Sequence, residues 1–424
     1  MPIFKSNSLN RIFFSFRSVL HKPIFYFYRK YCEKFCAVKT DKILFYPNVS
    51  TTDSDNALVL YQYLQKKQAA GMMKYSYVIL LKRDDFLPEG INRENTKIVR
   101  WNSDCYQGMP IETVREISTS HYIFFTNGSP IKRIKKKKEQ IVVNLWHGSG
   151  YKDIQNPKDR WICGKHFDYV LVPGEAFIVS KAKFFDCKKE QIWPIGYPRY
   201  DLLKSNNMQK MNEFATYYRL LGMRTIVWMP TFRKTDSNAY CPESEIQSDF
   251  DLPLLKNVKE LDVVNDFCNH YNIKIIIKRH PFQSEYICER QEYSNIIFLS
   301  NEDLRKQNIS VYSFLTMTDA LISDYSSVAI DYLLLNKPIA FALDDFDEYK
   351  STRGFVFEDP LKYMPGHHLY CLNDLRVFLS DIANGVDRYA KERKAIMPEV
   401  HSPCNNYCEC VWGKVSNIYI GSNL

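Results

Sequence analysis

The stretch ALISDYSSVAIDYLLLNKPIAFAL, residues 320–343, constrains the fold more than any other part of the sequence. A short apolar run is followed by a polar hinge, then by apolar residues at helical spacing, and then, after Asn336 and Pro338, by a second apolar run. This order predicts a β-strand, an α-helix and a parallel β-strand. The hinge then lies at the edge of the sheet where open α/β proteins bind ligands.

The polar hinge itself consists of Asp324, Tyr325, Ser326 and Ser327. The two serines open the predicted helix, where free backbone N–H groups favour an anion such as a phosphate. In the alternative interpretation these side chains only cap the helix. The rest of the sequence has to decide between the two.

Strand-like and helix-like runs alternate over most of the 424 residues. The strand-like runs are KILFYP, SYVILL, HYIFFT, IVVNLW, YVLVP and IWPIG, and then TIVWMPT, IKIIIKRH, NIIFLS, ALISD and PIAFAL. Alternation of this kind predicts an α/β protein with two Rossmann-like, doubly wound domains. We expect an N-terminal segment at 1–40, domains at 41–205 and 206–385, and a C-terminal helical segment at 386–424.

Composition excludes several classes of protein. An apolar content of 45% supports substantial cores, and no apolar run is long enough to cross a membrane. The N-terminus lacks a signal-peptide pattern, so we expect an intracellular protein with reduced cysteines. The net charge of +9 comes without a zinc finger, an RNA-recognition signature or a basic zipper, so we expect no nucleic-acid partner.

Two basic segments are candidates for contact with an anionic membrane surface. Over residues 1–40, lysines and arginines are interleaved with phenylalanines and tyrosines, which is typical of an interfacial segment. We favour membrane association there over an ordinary first helix. For the second segment, IKRIKKKKEQ at 131–140, we favour a solvated charged loop.

Polar residues follow four of the predicted strands and are the candidates for chemistry. They are His147, Gly148, Ser149, Gly150 and Lys152; Thr231 and Arg233; His280; and Asp324, Ser326 and Ser327. In doubly wound domains these strand ends share one edge, so arginine, histidine and hydroxyl groups there predict a pyrophosphate site. His147 lies in the other domain, across the expected cleft, where a neutral imidazole could accept a proton from a hydroxyl.

Each of these residues also has a purely structural interpretation. His147 could be a core or capping histidine, although Gly148 and Gly150 after a buried strand argue for function. His280 could end a strand in a His-Pro turn, Arg233 could form a surface ion pair, and Thr231 could be only a cap.

We expect no bound metal. His367-His368 and the series His401, Cys404, Cys408 and Cys410 do not match a common zinc spacing. Asp53-Ser54-Asp55 directly precedes a helix and is predicted to be its N-terminal cap. The sequence contains no Walker loop and no G-x-G-x-x-G.

The ordered motifs resemble those of the CDP-glycerol glycerophosphotransferase family, which includes teichoic-acid primases and polymerases. They are WHGSGYKD at 146–153, GYPRYD at 196–201, MPTFR at 229–233, KRHP at 278–281, SDYSSVAIDYLLLNKPIAF at 323–341 and RGF at 353–355. The resemblance implies a GT-B fold, with two Rossmann-like domains facing a cleft. It also implies transfer of glycerol phosphate from CDP-glycerol to a lipid-linked saccharide or growing polymer, with release of CMP at the cytoplasmic face of the membrane.

The resemblance also assigns roles to residues of this sequence. His147 matches the proposed base and His280 a histidine needed for activity, while Thr231, Arg233, Asp324, Ser326 and Ser327 match residues that face the donor phosphates. We expect Gly148, Ser149, Lys152 and Arg199 on the acceptor or cleft side. Ser149-Gly150 replaces the family's Thr-Pro, which we expect to loosen the loop beside His147.

Several alternatives stay open at this stage. The donor could be CDP-glycerol, CDP-ribitol or, in a glycosyltransferase of the same architecture, a nucleotide sugar. The chain could also be a catalytically silent binding subunit of a polymer-assembly complex. The residue inventory requires no cofactor and leaves Mg²⁺ on the pyrophosphate open.

Overall fold

The fold is described from a computed structural model. The structure describes residues 23–48, 54–83, 85–88, 90–101, 111–153, 162–204, 208–230, 252–278 and 292–421, with side chains to residue 418.

The first sheet has seven parallel strands in the order β3-β2-β1-β4-β5-β6-β7. The strands are β1 Lys39–Tyr46, β2 Ser76–Lys82, β3 Thr96–Trp101, β4 Ser120–Phe125, β5 Ile141–Asn144, β6 Tyr169–Val172 and β7 Ile192–Pro194. The order reverses between β1 and β4, as in doubly wound folds. Both strands at this reversal are buried at their carboxyl halves. Because both faces of the sheet are covered there, apolar residues follow one another without alternating with polar residues.

The second sheet has six parallel strands in the order β10-β9-β8-β11-β12-β13. They are β8 Arg224–Trp228, β9 Ile273–Lys278, β10 Ile296–Leu299, β11 Ala320–Ser323, β12 Ile339–Ala342 and β13 His367–Leu369. The order reverses between β8 and β11. The polar hinge that follows β11 therefore begins at the reversal of this sheet, where ligands of such folds bind.

The helices lie between the strands and at the two ends of the described chain. They are α1 (23–35), α2 Asn56–Ala69, α3 Ile111–Thr119, α4 Ile178–Phe185, α5 Met208–Tyr217, α6 Val258–His270, α7 Asn301–Lys306, α8 Val311–Met317, α9 Ser327–Tyr332, α10 Phe346–Thr352, α11 Leu372–Ala383, α12 Ala390–Val400 and α13 Tyr407–Gly421. Two predicted helix ends are confirmed: Asp55 caps α2 through its side chain, and Asn336 ends the α9 region in a left-handed conformation.

Two strands of the structure were missed by the sequence analysis. Strand β3, TKIVRW, lies at the edge of the first sheet beside β2 and has exposed Lys97 and Arg100 among buried residues, and strand β13 is three residues long at the edge of the other sheet. Short or half-polar edge strands give a weak apolar signal. All eleven strand-like runs that were predicted do contain strands.

The C-terminal segment does not stay with the second sheet. Helix α13 packs on the first domain, where the ring of Trp412 contacts those of Tyr75 and Tyr122, and Asp201 accepts hydrogen bonds from the backbone N–H groups of Tyr407 and Cys408. The C-terminal segment therefore packs against the first domain next to Tyr200.

The expectation that all cysteines are reduced is wrong for one pair. Cys404 and Cys410 form a disulfide in the segment between α12 and α13. Seven other cysteines in the described part of the chain are free. The pair is only six residues apart, so it closes a local loop and does not link distant elements.

No helix in the described ranges has both the length and the apolar character needed to span a membrane.

Candidate active site

The loop after β5 carries His147 in an unusual backbone conformation. Trp146, just before it, has a φ of 53°, in the left-handed region that bulky residues rarely adopt. Its N–H donates to Asn144 Oδ1 at 3.0 Å, and its carbonyl accepts from Asn56 Nδ2 at 2.6 Å. These two buried asparagines hold the loop in this conformation immediately before His147.

Two glycines after His147 allow the loop to touch the second domain. Gly148 has a φ of 144°, and a Cβ added there would lie 2.7 Å from Ser327 Oγ. A Cβ at Gly150 would lie 2.9 Å from the backbone N of Ser327 and 3.0 Å from its Cα. The loop that follows β5 thus contacts the first residue of α9, across the boundary between the sheets.

Arg199 connects the His147 loop to the second domain. One guanidinium nitrogen donates to the carbonyl of His147 at 2.7 Å, and the other donates to Asp331 Oδ2 at 2.6 Å. The hydroxyls of Tyr200 and Tyr312 also donate to Asp331. Arg199 and Asp331 are both buried, so this is an interdomain ion pair shielded from water.

A second interdomain contact lies just beyond the glycines. Lys152 forms an antiparallel bridge with Phe355, flanked by hydrogen bonds from Val356 N to Tyr151 O at 2.8 Å and from Asp153 N to Gly354 O at 3.2 Å. The WHGSGYKD and RGF motifs, some two hundred residues apart in sequence, are therefore paired strand-like segments.

The polar hinge after β11 is anchored by its tyrosine. Tyr325 is buried, donates its hydroxyl to Asp345 at 2.8 Å, and packs on the rings of Tyr349 and Phe355. Asp324 is fully buried, whereas Ser326 and Ser327 are half-buried at the start of α9. Ser326 occupies the N-cap position, but its side chain makes no capping hydrogen bond.

The His147 imidazole is neutral at neutral pH. Its side chain is open to solvent on one side, but the surrounding walls desolvate it, and the cations Lys181 and Arg199 act in the same direction. Together they lower the pKa of His147 to about 3. No described residue makes a hydrogen bond to the ring, and the side chain is exposed.

The structure brings most of the described candidates together. His147, Gly148, Arg199 and Ser327 meet at one place, with Ser326 adjacent. Ser149 is buried and its hydroxyl lies 2.8 Å from that of Tyr197, so it fastens the loop instead of facing the cleft. Thr231, Arg233 and His280 lie outside the described residues.

The histidine and cysteine series near the C-terminus does not converge on a metal. His401 Nε2 lies 2.7 Å from the carbonyl of Ile330, Cys404 pairs with Cys410, and Cys408 is buried. His367 pairs with Asp381. Within the described ranges, no three His, Cys, Asp or Glu side chains are placed to hold a metal ion.

The profile of one protein family, CDP-Glycerol:Poly(glycerophosphate) glycerophosphotransferase, matches residues 26–404, which is most of the chain. The chain belongs to this family of enzymes. The match includes both domains and the paired WHGSGYKD and RGF segments.

Curated relatives of this glycerophosphotransferase family member are enzymes of teichoic acid synthesis. The teichoic acid ribitol-phosphate primase of Bacillus spizizenii is 25% identical over 263 residues, 58% of this chain and 61% of the relative. The teichoic acid glycerol-phosphate primase of Bacillus subtilis is 27% identical over 268 residues, 60% of this chain and 62% of the relative. The match thus covers about three fifths of the length of each relative.

Among solved structures, a variant of the wall teichoic acid polymerase TagF soaked with CDPG superposes with a TM-score of 0.72. The match covers 98% of this chain and 99% of that one, at 22% identity. The fold predicted from the sequence, GT-B with two Rossmann-like domains, is thereby confirmed.

Sequence reasoning missed several residues of this candidate site. Two of them, Asn56 and Asn144, form hydrogen bonds with the backbone of Trp146. Asp331 pairs with Arg199, and Lys181 lies beside the imidazole of His147. A signal existed for Asp331, because it is a carboxylate on the apolar face of a short predicted helix, which requires a buried partner. Lys181 carried no such signal, since lysine on a surface helix is common.

Proposed function

We propose that the protein transfers a polyol phosphate, glycerol phosphate in the first instance, from a CDP-polyol to a hydroxyl of a membrane-associated saccharide or growing teichoic-acid-like polymer. The observation that carries the proposal is the contact between the His147 loop and the start of α9. It puts a neutral imidazole next to half-buried hydroxyl and N–H donors of the other domain, in a chain of the glycerophosphotransferase family.

In this proposal His147 is the general base. An acceptor hydroxyl attacks the phosphorus that bears the polyol, its proton passes to an imidazole nitrogen, a new P–O bond forms, and the bond to CMP breaks. Ser326 and Ser327 donate hydrogen bonds to the donor phosphates. The family resemblance assigns Asp324, Thr231 and Arg233 to the same side and matches His280 to a histidine needed for activity. Such catalysis depends mostly on positioning and charge.

The donor is tested by measuring release of CMP or another nucleotide from purified protein. CDP-glycerol, CDP-ribitol and several nucleotide sugars are each supplied with and without membrane extract. We expect acceptor-dependent CMP from one CDP-polyol. Both glycerol-phosphate and ribitol-phosphate enzymes are among the relatives, so either polyol fits. Nucleoside diphosphate from a sugar donor would contradict the proposal and favour the glycosyltransferase.

We also infer that α1 and the basic loop at 131–138 form one membrane-binding surface at the inner face of the cell membrane. The side chains of Ile24, Phe27, Tyr31 and Phe35 are 54%, 70%, 55% and 66% exposed, and their spacing puts them on one stripe of the helix. Exposed apolar residues next to cations suit an anionic lipid surface.

The basic loop supports this inference because it packs against α1. Arg29 donates to the carbonyl of Arg133 at 2.6 Å, Lys137 Nζ donates to that of Cys32 at 2.9 Å, and Glu33 accepts from the N–H of Lys135 at 2.9 Å. The exposed lysines of the loop therefore lie beside those of the helix, although from the sequence we favoured a solvated charged loop at 131–140.

Vesicle sedimentation tests the surface. We expect the protein to bind vesicles that contain phosphatidylglycerol and to bind neutral phosphatidylcholine vesicles weakly. Phe27→Ser with Phe35→Ser should reduce binding, whereas Tyr217→Ser, which removes a ring of 66% exposure on α5, should not. Equal binding by both variants would contradict the surface.

A further inference from the structure

A lysine without an assigned role lies beside His147. Lys181 belongs to α4, and its Nζ is 5.5 Å from the ring centre of Trp146 and 5.0 Å from that of Phe184. The Trp146 ring centre is in turn 3.9 Å from that of the His147 imidazole. The ammonium is thus held over aromatic faces at the wall of the cleft, one indole ring away from the candidate base.

The ammonium of Lys181 has no hydrogen-bond or ion-pair partner in the described parts of the chain. Lys183, two residues further along α4, pairs with Asp153 at 3.5 Å and is 72% exposed. Lys181 is half-buried, and burial lowers its pKa to about 8, against the opposing charge of Asp153. A partly desolvated cation that makes no direct ion pair is stabilised when an anion binds to it.

The location of Lys181 indicates which anion it would receive. Helix α4 and the His147 loop both belong to the first domain, whereas Ser326 and Ser327, the residues that we propose for the donor phosphates, open a helix of the second. The first-domain wall next to the base is where the attacking hydroxyl must lie. A phosphate near that hydroxyl would fall within reach of the lysine.

We propose that Lys181 binds a phosphate group of the acceptor and so orients the hydroxyl that His147 deprotonates. This inference rests on the proposed function. It favours an acceptor that carries a phosphate close to its reactive hydroxyl, such as the end of a polyol-phosphate chain. A neutral saccharide lacks that phosphate.

A bound phosphate would also change the base. The charged groups that face His147 in the described structure are Lys181 and Arg199, and Asp153 faces Lys181. Both cations disfavour protonation of the imidazole, so an anion on Lys181 offsets one of them and makes His147 a stronger base when acceptor is bound. Acceptor binding and proton transfer are thereby coupled.

The test is calorimetric titration with a short synthetic poly(glycerol phosphate) oligomer. We expect Lys181→Met, which keeps the aliphatic stem over Trp146, to weaken oligomer binding about tenfold or more. Lys183→Met is the matched control on the same helix and should bind like the wild type. Lys181→Arg should retain most of the affinity, and added salt should reduce the difference between wild type and Lys181→Met.

CDP-glycerol is titrated into the same variants to separate the two substrates. Unchanged oligomer affinity in Lys181→Met, no oligomer binding by the wild type, or loss of CDP-glycerol affinity in place of oligomer affinity would each overturn the assignment. The titrations need no turnover, so the transferase proposal is judged separately. Lys181-dependent oligomer binding without CMP release would leave Lys181 assigned and the transferase proposal wrong.

Discussion

Gly150 sets the distance between the His147 loop and α9. Its missing Cβ is the space that the backbone of Ser327 approaches, with 2.9 Å from the added Cβ to the nitrogen. We expected the replacement of Thr-Pro by Ser149-Gly150 to loosen the loop. Around these residues the loop is instead closely packed: Ser149 is buried against Tyr197, and Gly150 lies against Ser327.

Gly150→Ala should therefore force the loop and α9 apart. We expect a loss of about 1–3 kcal/mol in stability from the overpacked contact and about a hundredfold loss in kcat/KM if the base moves by about 1 Å. Steady-state kinetics and thermal unfolding measure the two effects. Gly413→Ala is the control, because a Cβ there meets no atom within 4 Å and α13 should tolerate or favour alanine.

Wild-type kinetics in Gly150→Ala would contradict the close contact. An equal loss of stability in Gly150→Ala and Gly413→Ala would show that the loss does not come from the contact with Ser327.

At the scale of elements, the end of α12 meets α9 through one buried histidine. His401 is 4% exposed, its Nε2 lies 2.7 Å from the carbonyl of Ile330, and its ring packs on Tyr200. Burial lowers the pKa of His401, although Ile330 and Asp331 oppose the shift. The imidazole is therefore neutral at neutral pH in the folded protein, and Nε2 donates the hydrogen bond.

This histidine makes stability depend on pH. The unfolded chain binds a proton at His401 below a pH of about 6.5, whereas the folded chain does so only at lower pH, so stability is lost as pH falls below 6.5. Between pH 7 and pH 5, we expect the Tm of His401→Gln to fall by less than the Tm of the wild type. His270→Gln, at an exposed position, is the control. An unchanged pH slope in His401→Gln would contradict this role.

The elements that are predicted well from the sequence are those whose own residues show a clear local pattern. The unit at 320–343 was predicted because its apolar runs, its serines and Asn336 each match a local rule, and β11, α9 and β12 confirm it. Strands β3 and β13 were missed because edge strands need fewer apolar residues.

The candidate site was only partly predictable. His147 was found because glycines follow it directly after a buried strand. Asp331 pairs with Arg199 from 132 residues away, and the left-handed Trp146 depends on Asn56 from 90 residues away. The first contact arises only when the two domains pack, and the second only when the first domain folds, so a single sequence does not show which residues will be partners.

At the scale of the whole molecule, the Arg199–Asp331 pair holds the domains in one arrangement. Both groups are buried, and Tyr200 and Tyr312 supply further donors to the carboxylate. A buried pair of this kind is costly to break on one side, because the remaining charge is left without a partner.

Arg199→Met and Asp331→Leu should therefore each destabilise the protein by about 3–5 kcal/mol. The double variant should be less destabilised than the sum of the two, because neither charge remains buried alone. Urea unfolding of the four proteins measures this cycle. Strictly additive losses would mean that the two side chains do not interact in solution.

The most direct test of the central claim compares the wild type with His147→Ala under one condition. Acceptor-dependent CMP release from the active CDP-polyol is measured with membrane extract, and the affinity for the same donor is measured by calorimetry. We expect the variant to lose at least about a hundredfold in turnover while donor affinity stays near that of the wild type. Full turnover in His147→Ala would contradict the assignment of His147 as the base.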